Sequence, residues 1–545
     1  MAEITILFRL RFAVALTIAL TLLLFFQARD AVASSRGPHE YIVQMDRGVS
    51  PVKGQRMAVK GGGILTGPQI RIINGFAAML SEKAARRLSH RHGVKAVSRN
   101  SRTDRPGAKA SSSGYARCNP TDATTQVTNL GRGSTWDVNP LNSLSSLAQP
   151  LIFSTDADAA WRRATGRGVG VAVLDTGISG DHPDFWTGGE SRVIASAVTN
   201  PCARNANDQV GHGTHIAGLI AGNSLNNPNL RKYAGRYMGM APRANLISVK
   251  VSDDDGDTTV LDVIYGLQFA IEHKDELGIR VINLSLSSTN AESYKTDPLD
   301  AAVEVAWFSG IAVVAAAGNE GTSGDAVDYA PGNDPYVITV GGYDDRGTRE
   351  NWDDEVASWS SRGWTQDGVR KPEMLAPGKG LVAALAPNSD FEDLCGSCVV
   401  NERYFRLSGT SMATAVVSGA VALILEKNPW MSPNQVKGAL VSTLRDVRGT
   451  GSAIDVDAAL DARSSANGGL TPNRYINPST GDLADWARAS FRRASFRDAA
   501  DSVFGTNWTR ASFRCDCGYD ASGEVDPQRV SFRRVSFRRT VDFGG

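Results

Sequence analysis

Gly168-Val-Gly-Val-Ala-Val-Leu174, followed at once by Asp175-Thr-Gly177, sets the character of the whole chain. The run carries no charge and does not alternate. That pattern predicts a strand covered on both faces, as in a buried parallel sheet. Leu246-Ile-Ser-Val-Lys-Val251, Val281-Ile-Asn-Leu-Ser-Leu286 and Ile311-Ala-Val-Val-Ala-Ala-Ala317 repeat the type. Helical stretches at 212–222, 258–273, 298–309 and 412–426 separate or follow them, and 433–445 closes the set. Strands and helices in alternation with short connections imply right-handed crossovers and an α/β three-layer domain over 151–463, its central sheet mostly parallel. Ligands of such sheets bind beyond the carboxyl ends of the strands. Polar residues just after each run are therefore the first candidates for function.

The chain is 545 residues long, enough for a large core and more than one domain. Its formal net charge of +1 argues against a partner chosen by bulk electrostatics, nucleic acid in particular. Arg9 and Arg11 precede an apolar run from Phe12 to Phe26, and Ala31-Val-Ala33 supplies a small-x-small cleavage signal. Residues 1–33 thus read as a secretory signal peptide cut after Ala33. An uncleaved anchor helix is the alternative, though the run is short for a span. The expectation is a secreted protein, extracellular or in the cell envelope, monomeric and without stable membrane insertion after that cut. Export makes six cysteines candidates for disulfides: Cys118, Cys202, Cys395, Cys398, Cys515 and Cys517. Fifteen full pairings are open, and Cys395-Gly-Ser-Cys398 lacks the second CxxC or nearby His that a metal pair needs.

Residues 34–105 contain a small α+β unit, with strands expected at Tyr41–Gln44, within Ile70–Leu80 and at Gly93–Val97, and a short helix capped by Ser81. Residues 106–150 crowd Ser, Thr, Asn, Gly and Pro without periodicity and read as a linker. The extension 464–545 repeats a short Ser-Phe-Arg motif, as in Ala489-Ser-Phe-Arg-Arg493 and Val535-Ser-Phe-Arg-Arg539. It is either a flexible appendage or a segment that holds to a partner.

Four polar signals end at one edge of the expected sheet. Asp175 follows the strand that ends at Leu174, where a carboxylate can orient an imidazole. Gly211-His-Gly-Thr-His-Ile-Ala-Gly218 opens a small-residue helix with His212, and the glycines on both sides leave room for another group. No Glu lies between His212 and His215, so the pair is not the zinc-binding H-E-x-x-H signature, and His215 reads as structural. Ala315-Ala-Ala-Gly-Asn319 puts a side-chain amide after another strand, where it can donate to an oxyanion. Finally, Phe405-Arg-Leu-Ser-Gly-Thr-Ser-Met-Ala-Thr-Ala-Val-Val-Ser-Gly-Ala420 sets Ser411 at the start of a buried helix. Alone, Ser411 reads equally as a helix cap or as a nucleophile.

Asp175-Thr-Gly, His212-Gly-Thr-His, Asn319 and Gly409-Thr-Ser-Met-Ala413, in this order, resemble the subtilisin-like serine proteases, the subtilases, over about 155–463. The resemblance implies that Ser411 is the nucleophile, His212 the general base, Asp175 its orienting partner and Asn319 an oxyanion donor. It also implies that Ser285, Leu286 and Ser287, with Gly256, Asp257 and Thr258, hold the backbone of protein or peptide substrates. Asn74-Gly-Phe-Ala-Ala78 resembles the family's inhibitory propeptide, so the small unit is expected to inhibit its own peptidase. The chemistry needs no cofactor; structural calcium is a family expectation, with its ligands unknown. Two departures stand out: Ala415 where a proline is common, and Ser287 where a glycine is common. The acidic run Asp253-Asp-Asp-Gly-Asp257 fails as a complete EF-hand loop and is expected instead to favour basic residues upstream of the cleaved bond.

Overall fold

The computed structural model describes residues 38–46, 48–101, 103–104, 128–129, 139–187, 189–224, 234–474, 516–519 and 525–531. The expected signal peptide, most of the 106–150 linker and nearly all the Arg/Phe repeats lie outside the described residues.

The small unit is a four-stranded antiparallel sheet with two helices. Its elements run β1 (His39–Met45), α1 (Pro51–Lys60), β2 (Ile64–Leu65), β3 (Gly75–Leu80), α2 (Glu82–Ser89) and β4 (Val94–Arg99), with the strands in the order β2-β3-β1-β4. Ser50 and Ser81 cap the two helices by accepting from the N–H of Val52 and Ala84. Val43, Phe76, Leu80 and Leu88 fill the core. The β-type run expected from Ile70 begins only at Gly75, because Arg71–Ile73 form a 3₁₀ turn closed by Asn74 in the left-handed region (φ 48°). The Asn74 amide holds that turn by donating to the carbonyls of Asp46 and Val49.

The larger unit is built on an 11-stranded sheet. Its main strands are β5 (Gly170–Asp175), β6 (Val193–Val198), β7 (Asn245–Lys250), β8 (Ile279–Leu284), β9 (Ala312–Ala316), β10 (Ile338–Asp344), β11 (Met374–Pro377), β12 (Arg445–Val447) and β13 (Gly451–Ala453). From β6 the order runs β7-β5-β8-β9-β10-β11-β13, all parallel. Antiparallel β12 and Thr128–Asn129 close the two edges. β5 and β7 are neighbours, and the chain leaves β5 toward β6 on one side but β7 toward β8 on the other, which opens a crevice at their carboxyl ends. α3 (His212–Ala221) and α6 (Thr410–Lys427) pack together on one face, and α4 (Val260–Glu272) and α5 (Pro298–Phe308) pack together on the other. α7 (Pro433–Val441) follows with a capping box between Ser432 and Gln435. This is the expected three-layer α/β fold. Among the described residues α6 is the one helix long and apolar enough to cross a membrane, and it is buried in the core.

Five of these strands escape the sequence pattern: β6, β10, β11, β12 and β13. Gly341 and Gly342 interrupt β10 because a Cβ at Gly342 would lie 2.5 Å from the Trp359 ring. The helix expected over 433–445 stops at Val441, and Arg445 starts an edge strand instead. The chain also stays packed beyond residue 463. Asn473 donates its backbone N–H to the Glu304 carboxylate at 2.8 and 2.9 Å, and its side-chain amide to the carbonyls of Tyr294 and Asp297.

The small unit sits against α4 and α5. Ile72 and Ile73 join the core of the large unit, and Arg71 pairs with Glu272 at 2.9 Å. Its outgoing backbone then follows the sheet edge. Val260 N–H donates to Ser101 O at 2.8 Å, and Thr103–Asp104 pairs antiparallel with Ser287–Ser288.

Candidate active site

Asp175 is the last residue of β5, and its side chain is sealed from solvent. His212 opens α3 across the crevice, and its Nδ1 lies 2.8 and 3.0 Å from the two Asp175 carboxylate oxygens. Asp175 also accepts the Thr176 N–H at 2.7 Å. Two glycines make this approach possible. A Cβ at Gly213 would stand 2.1 Å from Gly177 O, and one at Gly211 (φ 101°) would meet Ser389 and Phe391. The start of α3 is tied down by Asp208, whose carboxylate accepts from Gly211 N, Thr214 N and Thr214 Oγ1 at 2.7–2.8 Å. Thr176 Oγ1 accepts from Gly213 N at 2.8 Å.

Ser411 is the second residue of α6, whose cap is Gly409, so it is not the cap. The helix starts two residues earlier than the apolar run at Met412 suggests, since Thr410 and Ser411 already take helical backbone geometry. Ser411 Oγ donates to Ser285 O at 3.3 Å. His212 Nε2 is buried without a hydrogen-bond partner. No hydrogen bond joins Ser411 Oγ to His212 Nε2.

Asn319 follows β9 and faces the start of α6. Its Oδ1 accepts from Thr410 N at 2.9 Å and from Thr410 Oγ1 at 3.2 Å. That arrangement turns the Nδ2 donor away from Thr410. Ser361 braces the same turn, accepting from Glu320 N at 2.9 Å.

His215 lies one turn along α3, its Nε2 3.0 Å from Phe405 O. Burial, and then the neighbouring His212, hold its pKa down to about 3, so the ring is neutral and structural. Phe391 is buried and sets its ring edge-on to His212, with centroids 6.4 Å apart, while stacking on Phe405. Cys395 and Cys398 are joined to each other in the same loop and pack on the Phe391–Phe405 cluster. Cys202 is disulfide-bonded as well.

Ser285 is buried beneath Ser411, and Leu286 follows it, also buried. Ser287 lies half-buried at the sheet edge. Gly256, Asp257 and Thr258 form the opposite rim. Asp253 Oδ1 accepts from Asp255 N and Asp257 N at 3.1 and 2.7 Å, and the Thr258 hydroxyl closes onto Val251 O. Asp254 is engaged by Lys250, at 2.7 Å, and by Arg204. The carboxylates of Asp253 and Asp254 are bonded to the chain's own N–H groups and cations, so these two do not fit a calcium ion. Among the described residues no group of three or more His, Cys, Asp or Glu is placed to hold a metal.

Asp208, Thr176 and Phe391 were not read from the sequence as part of the site. Asp208 lies three residues before the Gly211 cap, outside the position at which a capping residue is read from sequence. Nothing local marks Phe391.

A sequence model of the subtilase family matches residues 166–469. The chain is 41% identical over 281 residues to serine protease AprX of Bacillus subtilis (strain 168), a match covering 51% of this chain and 61% of that protein. It is 34% identical over 296 residues to subtilisin DY of Bacillus licheniformis, covering 54% of this chain and 89% of the relative. With subtilisin E of Bacillus subtilis (strain 168) it shares 31% identity over 435 residues, covering 79% of this chain and 91% of the relative. The chain thus spans about three fifths of AprX and nearly all of the two subtilisins. The family match over more than half its length makes this chain a member of the subtilase family of serine-type endopeptidases.

Proposed function

We propose that the protein is a secreted endopeptidase made as a zymogen, in which Asp175, His212 and Ser411 act as a triad and Asn319 as an oxyanion donor. The observation that carries the reading is the buried Asp175–His212 pair at the carboxyl end of β5, with His212 on a helix that packs against α6, which carries Ser411. Ser411 Oγ leaves Ser285 O, gives its proton to His212 Nε2 and bonds to the scissile carbonyl carbon. Asp175 keeps the other ring nitrogen protonated and balances the charge on the imidazolium. Asn319 Nδ2 and Ser411 N–H receive the oxyanion. His212 returns the proton to the leaving amine, and water then cleaves the acyl-enzyme by the same route.

Substrates bind as an added strand between Ser285–Ser287 and Gly256–Thr258. The small unit supports this mode and its own role as intramolecular inhibitor, since Thr103–Asp104 already pairs with Ser287–Ser288. The Asp253–Asp257 run contributes a preference for basic residues upstream of the bond. A fluorophosphonate probe with casein hydrolysis tests the whole: labelling at Ser411, and loss of both signals in Ser411→Ala, is the expected result. An unlabelled Ser411 in the processed protein refutes it.

A further inference from the structure

A line of buried polar side chains runs through the core beneath the site. Between Ser411 and Glu426, Thr414 and Ser418 carry the polar side chains of α6. Thr414 bonds back to its own helix, at Thr410 O. Ser418 instead reaches out of the helix: its Oγ donates to Asn283 Oδ1 at 2.9 Å. Asn283 lies on β8 between Ile282 and Leu284, and its Nδ2 donates to Ser285 Oγ at 3.0 Å. Ser285 Oγ in turn donates to Ser411 O at 3.0 Å, while Ser411 Oγ rests on Ser285 O. Ser418, Asn283 and Ser285 are each wholly buried. Every donor along the line points toward the peptide group of Ser411. A buried hydroxyl or amide is unfavourable unless bonded, and Ala or Val would fill these positions without that demand. Packing alone gives no reason for Ser at 418 or Asn at 283.

We propose that Asn283 and Ser418 are positioning residues for hydrolysis, acting through Ser285 on the nucleophile. Ser418 fixes which way the Asn283 amide faces. Asn283 then directs the Ser285 hydroxyl onto the Ser411 carbonyl. That bond sets the orientation of the first peptide groups of α6, and with it the Ser411 N–H presented to the oxyanion. The position of Ser285 O, where the resting Ser411 hydroxyl sits, is set by the same line. Small displacements matter here, because oxyanion donors work over a narrow range of distance and a misplacement of about 1 Å costs on the order of 100-fold in rate. The proposal rests on Ser411 being the nucleophile.

The test compares wild type, Ser418→Ala, Asn283→Ala and the double variant, each expressed as the full chain and assayed after self-processing. Ser418→Ala is expected to lower kcat on a peptide anilide about tenfold and Asn283→Ala about 100-fold, with KM within about twofold. The rate of fluorophosphonate labelling at Ser411 falls in parallel. Because the line passes through Asn283, the double variant is expected to match Asn283→Ala rather than show the product of the two losses. Unchanged kcat and labelling in Ser418→Ala, a loss confined to KM, or multiplicative losses in the double variant would overturn the proposal. Should Asn283→Ala fail to fold, Ser418→Ala decides alone by its kcat and labelling rate, since Ala is well tolerated in a helix. Wild type that takes no label at Ser411 overturns the nucleophile assignment and this inference together.

Discussion

At the scale of single residues, the site depends on groups that are individually ordinary and collectively constrained. Asp175 is confined by its strand, by Thr176 N–H and by His212, so its carboxylate has little freedom left to lose. Ser411→Ala is expected to lower kcat by about 10⁶, the loss measured for the nucleophile of subtilisin, a relative. Asn319→Leu removes a donor and keeps the volume. It is expected to lower kcat by about 10²–10³ with little change in KM, a magnitude that also comes from subtilisin. Both are read by steady-state kinetics on one peptide substrate. His215 is predicted to be silent in the pH–rate profile near neutrality, because burial and the neighbouring His212 keep its ring neutral. The four candidate residues were legible because each stands in a short motif, Asp175 and Asn319 after apolar strands and His212 and Ser411 at the start of small-residue or apolar helices. Asn283 and Ser418 were not, because a lone polar residue inside an apolar run has no partner visible along the chain.

At the scale of elements, α3 and α6 deliver His212 and Ser411 from their first turns, where backbone N–H groups have no partner within the helix. Asp208 supplies the missing acceptors for α3. Asp208→Ala is expected to lower stability by about 1–2 kcal/mol and to reduce kcat by loosening His212, checked by thermal unfolding and kinetics on one preparation. The strands β5, β7, β8 and β9 were legible from uninterrupted apolar runs. β10 and β11 were not, since Gly341-Gly342 and Pro377 read as breakers. They are strands because neighbouring strands bond them and Trp359 occupies the space beside Gly342.

For the molecule as a whole, the back of the large unit concentrates buried carboxyls. Burial pushes Asp297 up to about 7 and Asp334 up to about 6, and drives Asp300 and Glu304 well above the ordinary range. Both oxygens of Asp300 lack a partner. The folded protein thus keeps protons that the unfolded chain releases near its ordinary value of 3.8. This contribution to stability is full below about pH 4 and is lost as pH rises through 6–7. In a Ser411→Ala background, which prevents self-digestion, Tm is expected to fall by about 5 °C between pH 5 and 8. Asp300→Asn is expected to flatten that slope, and calorimetry checks both.

What the sequence determined by itself was the fold class and the identity of the candidate residues. Both follow from local patterns: uninterrupted apolar runs for buried parallel strands, Asp and Asn at the ends of two of them, and His and Ser at the starts of two helices. What only the tertiary structure decided was how these groups meet. The Asp175–His212 bond joins β5 to α3. The Cys395–Cys398 bridge settles one pairing that spacing left open. The path of Thr103–Asp104 along Ser287–Ser288 and the buried line from Ser418 to Ser411 join segments more than a hundred residues apart. Hydrogen bonds of that kind depend on distance and direction in space, and sequence periodicity records neither.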